Sequence, residues 1–251
     1  MIGKNFIFIE LPKNATSSVR EALADYADEC FESVRPDSIF SEGGEINRHV
    51  SAWQLLKFFN GYLWNKTFKF SVIRNPYDRL LSEYKYSLKV SQPWKKGRVE
   101  GGKKDRYRLK TIELFKIVSN FEEYVSYLYE QFQKESRRVK TKPMRAHLEI
   151  LGNYIQPRLF PLDHILGKSQ FSMLFDPYGA QLVDNLCKFE NLDKDFKVIC
   201  DKLNLSNIKL PKVNATKEVS VREAYNGKMI KMVNEILRLD FKHLPYEQYT
   251  P

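Results

Sequence analysis

Phe70-Ser71-Val72-Ile73-Arg74-Asn75-Pro76-Tyr77-Asp78-Arg79-Leu80-Leu81-Ser82-Glu83-Tyr84 is the stretch that decides the fold. Its opening residues read as a buried strand, Arg74 stands where that strand ends, and Pro76 suits the first turn of a helix because its φ is already helical. Ser82 follows Arg74 by eight residues, about two helical turns, so both can converge on one phosphate.

A second strand-loop-helix lies at the start of the chain. Phe6-Ile7-Phe8-Ile9 leads into Leu11-Pro12-Lys13-Asn14-Ala15-Thr16-Ser17-Ser18, followed by a helical pattern over Val19 to Ala27. Backbone N–H groups at a helix start point at an anion, and Lys13, Thr16, Ser17 and Ser18 add a cation and hydroxyl donors. A Walker A loop needs Gly-x-x-x-x-Gly-Lys-[Ser/Thr]. Here the lysine comes first and no glycine is present.

Short apolar strands alternating with helices argue for a parallel sheet covered by helices. Such sheets bind ligands at the carboxyl ends of their strands, where Lys13 and Arg74 would both sit. The fold expected is α/β, a single P-loop-like domain over residues 1–251 with a central parallel sheet flanked by helices. Strands are expected over 6–10, 68–73 and 186–189. Helices are expected over 17–27, 51–59 with Ser51 as cap, 77–88, 111–118, from a capping-box-like Asn120-Phe121-Glu122-Glu123 to about 133, near 179–184, over 193–203 and over about 220–239. Residues 31–47, with Gly43-Gly44, read as irregular, and 91–108 as an exposed basic loop.

The 251 residues are 43% hydrophobic and 14% aromatic, which excludes a disordered chain. No apolar run approaches the ~18 residues of a membrane span. Strand-like sequence begins by Phe6, leaving no room for a secretory signal, so a cytoplasmic protein is expected. Cys30, Cys187 and Cys200 lack metal-ligand spacing and suit buried, reduced thiols. His49, His147, His164 and His243 form no metal-binding cluster, so no metal is expected.

The net charge of +10 is local. Lys95 to Lys110 holds eight basic against two acidic residues, and Lys134 to Arg145 holds six against one, so the remainder sums to −1. These segments define a basic insertion at about 89–110 and a basic helical or loop segment at about 134–150. They read either as solvated loops, as a clamp over an anionic cofactor, or as a groove for an acidic acceptor. Trp94, Tyr107 and Tyr154 interleave with them, and aromatic faces suit sugar rings.

Taken together, these motifs resemble the sulfotransferases that use 3′-phosphoadenosine 5′-phosphosulfate (PAPS), and within them the carbohydrate sulfotransferase branch, sulfotransferase family 2. Pro12-Lys13-Asn14-Ala15-Thr16-Ser17-Ser18 resembles the family's 5′-phosphosulfate loop, with Ala15 where many members place Gly. Arg74 to Tyr84 resembles its 3′-phosphate motif. Lys188-Phe189-Glu190-Asn191-Leu192 and Leu210-Pro211-Lys212-Val213-Asn214-Ala215-Thr216 are similar to its C-terminal landmarks. The resemblance implies PAPS as donor, PAP as product, and Lys13, Asn14, Ala15, Thr16, Ser17, Ser18, Arg74, Ser82, Lys212 and Asn214 as cofactor-binding residues. A hydroxyl-bearing acceptor follows, expected to be a carbohydrate or glycoconjugate, acidic on the groove reading of the basic segments, with neither nucleic acid nor a membrane span as partner.

Sulfuryl transfer, like phosphoryl transfer, needs in-line geometry and stabilisation of charge on the leaving oxygen. The sulfuryl group carries less negative charge, so Lys13 and backbone donors can serve without Mg²⁺. An acceptor hydroxyl wants a general base near neutral pH, which points to histidine. His49 fills that role best, since related enzymes often carry His-x-[Ser/Thr]-x between the two phosphate motifs; the plainer reading is that it packs at a helix start. His147 is the reserve. The rival functions are a P-loop kinase, disfavoured by the missing Walker lysine, and a basic nucleic-acid binder supported only by pI ≈ 9.3 and the basic runs.

Overall fold

The structure, a computed structural model, describes residues 1–27, 49–59, 61–95, 106–140, 169–205, 208–211 and 221–251. It comprises two compact units, Met1–Arg74 with Gln170–Lys217, and Asn75–Ser169 with Glu218–Pro251.

The first unit is built on three parallel strands, β1 (Phe6–Ile9), β2 (Phe68–Ile73) and β3 (Asn185–Lys188), in the order β1-β2-β3. The register pairs Phe8 with Phe70, Ile9 with Ser71, and Val72 with Cys187. Because side chains alternate across a strand, Phe6, Phe8, Phe70, Val72 and Cys187 share one face. Against them pack Val19 and Leu23 from α1 (Thr16–Ala22) and its C-cap, and Phe196, Ile199 and Cys200 from α8 (Leu192–Lys202). Phe8 and Phe70 stack with centroids 5.0 Å apart; each such ring, removed from water, contributes on the order of 2 kcal/mol. The sheet and its covering helices make the fold α/β, as the strand-helix alternation implies. All three strands run the same way, so their carboxyl ends open onto one edge. Ser71 Oγ donates to the Ile9 carbonyl at 2.7 Å and fastens β2 to β1 beside that edge.

Two short helices, α2 (Ala52–Phe58) and α3 (Gly61–Lys66), precede β2. Ser51 caps α2: its hydroxyl accepts from Gln54 N at 3.2 Å, and Gln54 Oε1 accepts from Ser51 N at 3.0 Å. At the other end of β2 from Arg74, buried Lys69 gives its ammonium to the carbonyls of Trp64 and Thr67 and to Asp184 at 3.0 Å. That lysine is structural.

The second unit is helical, with α4 (Pro76–Lys95), α5 (Arg106–Ile117), α6 (Phe121–Lys140), α9 (Gly227–Ile236) and α10 (Arg238–His243). Its core gathers Tyr77, Leu80, Leu114, Tyr124, Val125, Leu128, Tyr225, Ile230 and Val233. Asn120 caps α6, accepting from Glu123 N at 2.9 Å. Tyr77, at the head of α4, stacks on Tyr249 with centroids 4.1 Å apart and accepts through its carbonyl from the Tyr225 hydroxyl.

Several boundaries differ from the sequence expectation. Helix α4 runs on to Lys95 and α5 begins at Arg106, so the ends of the basic stretch are helical rather than loop; 96–105 lies outside the described residues. Helix α6 continues to Lys140. No helix occupies 179–184: α7 (Gln170–Leu174) comes earlier, and Phe175 then bridges to Gln181 around a turn. The cause is turn chemistry in Asp176-Pro177-Tyr178-Gly179, where the Asp176 carboxylate accepts from Tyr178 N and Ala180 N and Gly179 adopts φ 93°. The terminal helix is shorter than expected because Asn226 caps α9, accepting from Met229 N, and Leu237 (φ −104°, ψ 24°) separates it from α10. At the other end of the chain, α1 stops at Ala22 and a 3₁₀ turn covers Ala24–Tyr26. The irregular stretch 31–47, Cys30, Tyr154, His147 and His164 lie outside the described residues.

Candidate active site

The carboxyl edge of the sheet unit brings together the β1 loop, the end of β2 and a histidine from before α2. In the loop, Lys13 and Ala15 both adopt left-handed backbone, with φ of 67° and 55°. Left-handed residues alternating with others turn successive N–H groups toward a common concavity, the geometry of an anion nest. Outside glycine this conformation costs on the order of 1 kcal/mol per residue, so something must hold it. Arg74 does so in part: its guanidinium donates to the Lys13 carbonyl at 2.9 Å. That guanidinium also lies over the Phe189 ring, 4.0 Å from its centroid, and is buried with 8% exposure. The two motifs separated by some sixty residues are thereby joined by a direct bond.

Asn14, between the two left-handed residues, is turned inward. Its Nδ2 donates to Val72 O at 2.7 Å and to Gln170 Oε1 at 2.8 Å. Thr16 is likewise committed, its hydroxyl donating to Leu11 O at 2.7 Å and closing the loop. These two side chains hold the loop, and since the Asn14 N–H also donates to Leu11 O at 3.4 Å, the Thr16 N–H is the freer of the two for an anion. No such bond ties the hydroxyls of Ser17 and Ser18 among the described residues; Ser17 is exposed, Ser18 buried, and Lys13 half-buried. Helix α1 has only seven residues, so the loop backbone and Lys13 carry more of the field than a helix dipole does.

His49 Nδ1 lies 2.8 Å from Glu10 O, the residue that follows β1. A carbonyl only accepts, so Nδ1 carries the proton and Nε2 is the basic nitrogen. The ring is thereby tethered three residues ahead of Lys13, at the mouth of the same loop. The Glu10 carboxylate is buried and accepts from Arg20 at 2.6 Å. It adds no net negative charge at the site.

Ser82 lies on α4 in the helical unit, half-buried. Lys212 and Asn214 fall outside the described residues. Among the described residues no group of three His, Cys, Asp or Glu could hold a metal. Cys187 is buried on β3, beside Val72; desolvation, and then the Asp195 carboxylate, pushes its thiol up to about 12, which makes it inert packing rather than a nucleophile.

Phe189, which supports Arg74, stood in a recognised landmark without an assigned role, and two residues at this edge escaped sequence reasoning: Glu10, whose carbonyl orients His49, and Gln170. A signal existed for the last, a lone amide heading the apolar turn Phe171-Ser172-Met173-Leu174.

This edge, with two left-handed loop residues, a lysine, a buried arginine and a tethered imidazole, suits a phosphorylated nucleotide donor and an acceptor that must lose a proton. The family model described as Sulfotransferase family matches residues 3–247, and the chain belongs to the sulfotransferase family. Its enzymes are PAPS-dependent, which sets the kinase reading aside. Nothing among curated proteins or among solved structures matches the chain.

Proposed function

We propose that the protein transfers a sulfuryl group from PAPS to a hydroxyl of a carbohydrate or glycoconjugate, with His49 as general base and Lys13 stabilising the leaving group. PAPS supplies the sulfuryl group and leaves as PAP. Arg74 is proposed to hold the 3′-phosphate; the part of Ser82 in that task rests on the motif. The backbone of Asn14, Ala15 and Thr16, with Ser17 and Ser18, is proposed to cradle the 5′-phosphosulfate, and Lys212 and Asn214 to bind the donor on the family resemblance.

The observation that carries this reading is the tautomer imposed on His49 by Glu10 O. Nε2 can accept the acceptor's hydroxyl proton as the new O–S bond forms, while Lys13 offsets the charge developing on the departing phosphate oxygen as the old O–S bond breaks. Preorganised donors of this kind are each worth roughly 3 kcal/mol in a site of low dielectric.

A glycan acceptor is supported by the two basic segments, whose charge would suit a chain already bearing carboxylate or sulfate. No helix among the described residues is long and apolar enough to cross a membrane. A cytoplasmic setting belongs to the same proposal and draws on Cys187 and Cys200, which are unpaired and buried. That the two units form one sulfotransferase domain is also proposed, since the family match runs through both. The test is transfer of labelled sulfate from PAPS to a panel of glycans, peptides, lipids and small alcohols. Label on glycans is the expected result; label confined to peptides, lipids or alcohols overturns the acceptor class.

A further inference from the structure

We infer that Gln170 is the positioning residue that holds the two donor-binding motifs in register, by acting on Arg74 as a neighbouring strand would. This rests on the reading of Lys13 and Arg74 as donor-binding groups.

Gln170 is completely buried, at the head of α7, and its amide makes hydrogen bonds to both motifs. Its Oε1 accepts from Arg74 N at 2.8 Å, and its Nε2 donates to Arg74 O, also at 2.8 Å. Two bonds to the N–H and C=O of one residue are what the next strand of a sheet supplies. Arg74, one residue beyond the end of β2, is thus held by a side chain where β2 itself has stopped. Both lone pairs of the amide oxygen are used, because Oε1 also accepts from Asn14 Nδ2 at 2.8 Å.

The bonds close into a ring. Gln170 holds the Arg74 backbone, the Arg74 guanidinium holds the Lys13 carbonyl, and Asn14, next to Lys13, returns to Gln170 and to Val72 O. The left-handed Lys13 and Ala15 flank the residue that the ring grips. Asn14 Oδ1 is buried without a hydrogen-bond partner among the described residues, an orphan that the two bonds made by Nδ2 must outweigh. The amide orientations of Asn14 and Gln170 follow from their partners, since Val72 O can only accept and Arg74 N can only donate. Polar groups buried this completely at a binding edge serve its shape, and their removal leaves several donors and acceptors unmatched at once.

The consequence is specific. Loss of the Gln170 amide frees the Arg74 peptide and leaves the Asn14 side chain with its bond to Val72 O, so donor affinity falls more than folding or acceptor recognition does.

The experiment compares Gln170→Met, close in shape but unable to make these bonds, with Gln170→Glu, which keeps the acceptor toward Arg74 N and Asn14 but loses the donor toward Arg74 O. PAP affinity is measured by calorimetry, and KM for PAPS and for the acceptor by initial rates, with the thermal midpoint of each ligand-free variant recorded. PAP affinity should fall at least tenfold in Gln170→Met and less in Gln170→Glu, with KM for the acceptor within twofold of the parent. A purely structural role would lower the thermal midpoint and the active fraction while leaving PAP affinity and KM for PAPS unchanged, and that result overturns the inference; if Gln170→Met does not fold, Gln170→Glu alone decides on the same criteria. Arg74→Ala is titrated alongside. Unchanged PAP affinity in Arg74→Ala sinks the donor-site reading itself, whereas loss there with none in the Gln170 variants removes only the role of Gln170.

Discussion

At the carboxyl edge of the sheet, buried Asn14, Arg74 and Gln170 are bonded to one another and to the backbone of the loop they shape. In the core of the helical unit, the buried phenol of Tyr124 finds no hydrogen-bond partner among the described residues, and the surrounding cluster is held by apolar and ring contacts together with the Tyr225 hydroxyl bond to Tyr77 O. The same resource, a polar group taken out of water, is used in one region to set a geometry and tolerated in the other as a by-product of burying a large ring. Substitutions in the first should therefore alter chemistry before stability, and substitutions in the second the reverse.

Lys13→Ala puts that contrast to its hardest trial: turnover should drop by about a thousandfold, or ~4 kcal/mol of transition-state stabilisation, with the thermal midpoint nearly unmoved. A variant that lost stability but kept its turnover would dissolve the distinction. For the helical unit the mirror case is Leu128→Ala, which removes a fully buried side chain and should cost about 3 kcal/mol in denaturant unfolding while the folded fraction keeps its KM for PAPS. His49→Ala should reduce turnover by a factor of order 100 without weakening PAP, since the imidazole is proposed to touch the acceptor's proton alone; near-normal turnover removes it from the mechanism.

Alkaline titration separates the units by pH. Burial pushes the Cys187 thiol up from 9.0 to about 12, and burial also raises the phenols of Tyr124, with the Glu83 charge adding to it, and Tyr225, with Asp78 adding, well above 10.0. Above these ordinary values the unfolded chain has released protons that the folded chain still holds. Unfolding free energy should then fall as pH rises, by up to about 1.4 kcal/mol per pH unit for each group. The decline should begin near pH 9 in the parent and be shallower in Cys187→Ala, where the Cys200 thiol, also raised by burial, keeps the same onset. Denaturant midpoints across pH 8 to about 11 measure it, and an unchanged slope in Cys187→Ala would contradict the assignment. Smallest of all, Tyr124→Phe removes an unpartnered hydroxyl and should leave stability unchanged or raise it by up to about 1 kcal/mol; a clear loss would mean that the core values that phenol after all.

Much of this edge was legible beforehand because its signals are local. A strand running into Pro12-Lys13 or into Arg74-Asn75-Pro76 carries its own turn and helix-start chemistry, so β1, β2 and the heads of α1 and α4 stand close to where they were expected. Ser51 and Asn120 announced their caps for the same reason. The expected helix over 179–184 failed because an Asp-Pro-Tyr-Gly turn outcompeted a weak apolar pattern, and the terminal helix broke at Asn226 and Leu237, where a cap decided the boundary.

By itself, then, the sequence determined the parallel α/β plan and the two strand-loop-helix motifs that carry Lys13 and Arg74, since each is encoded within a dozen neighbouring residues. Tertiary structure alone decided which side chains of the two motifs hold the loop. Asn14 and Thr16 look like ligands in one dimension and turn inward in three, and Gln170, 96 residues beyond Arg74, is marked locally only as an amide heading an apolar turn, with nothing to name its partners. The physical reason is that a hydrogen bond depends on position and burial, and residues distant in the chain acquire both only when the sheet brings its strand ends together.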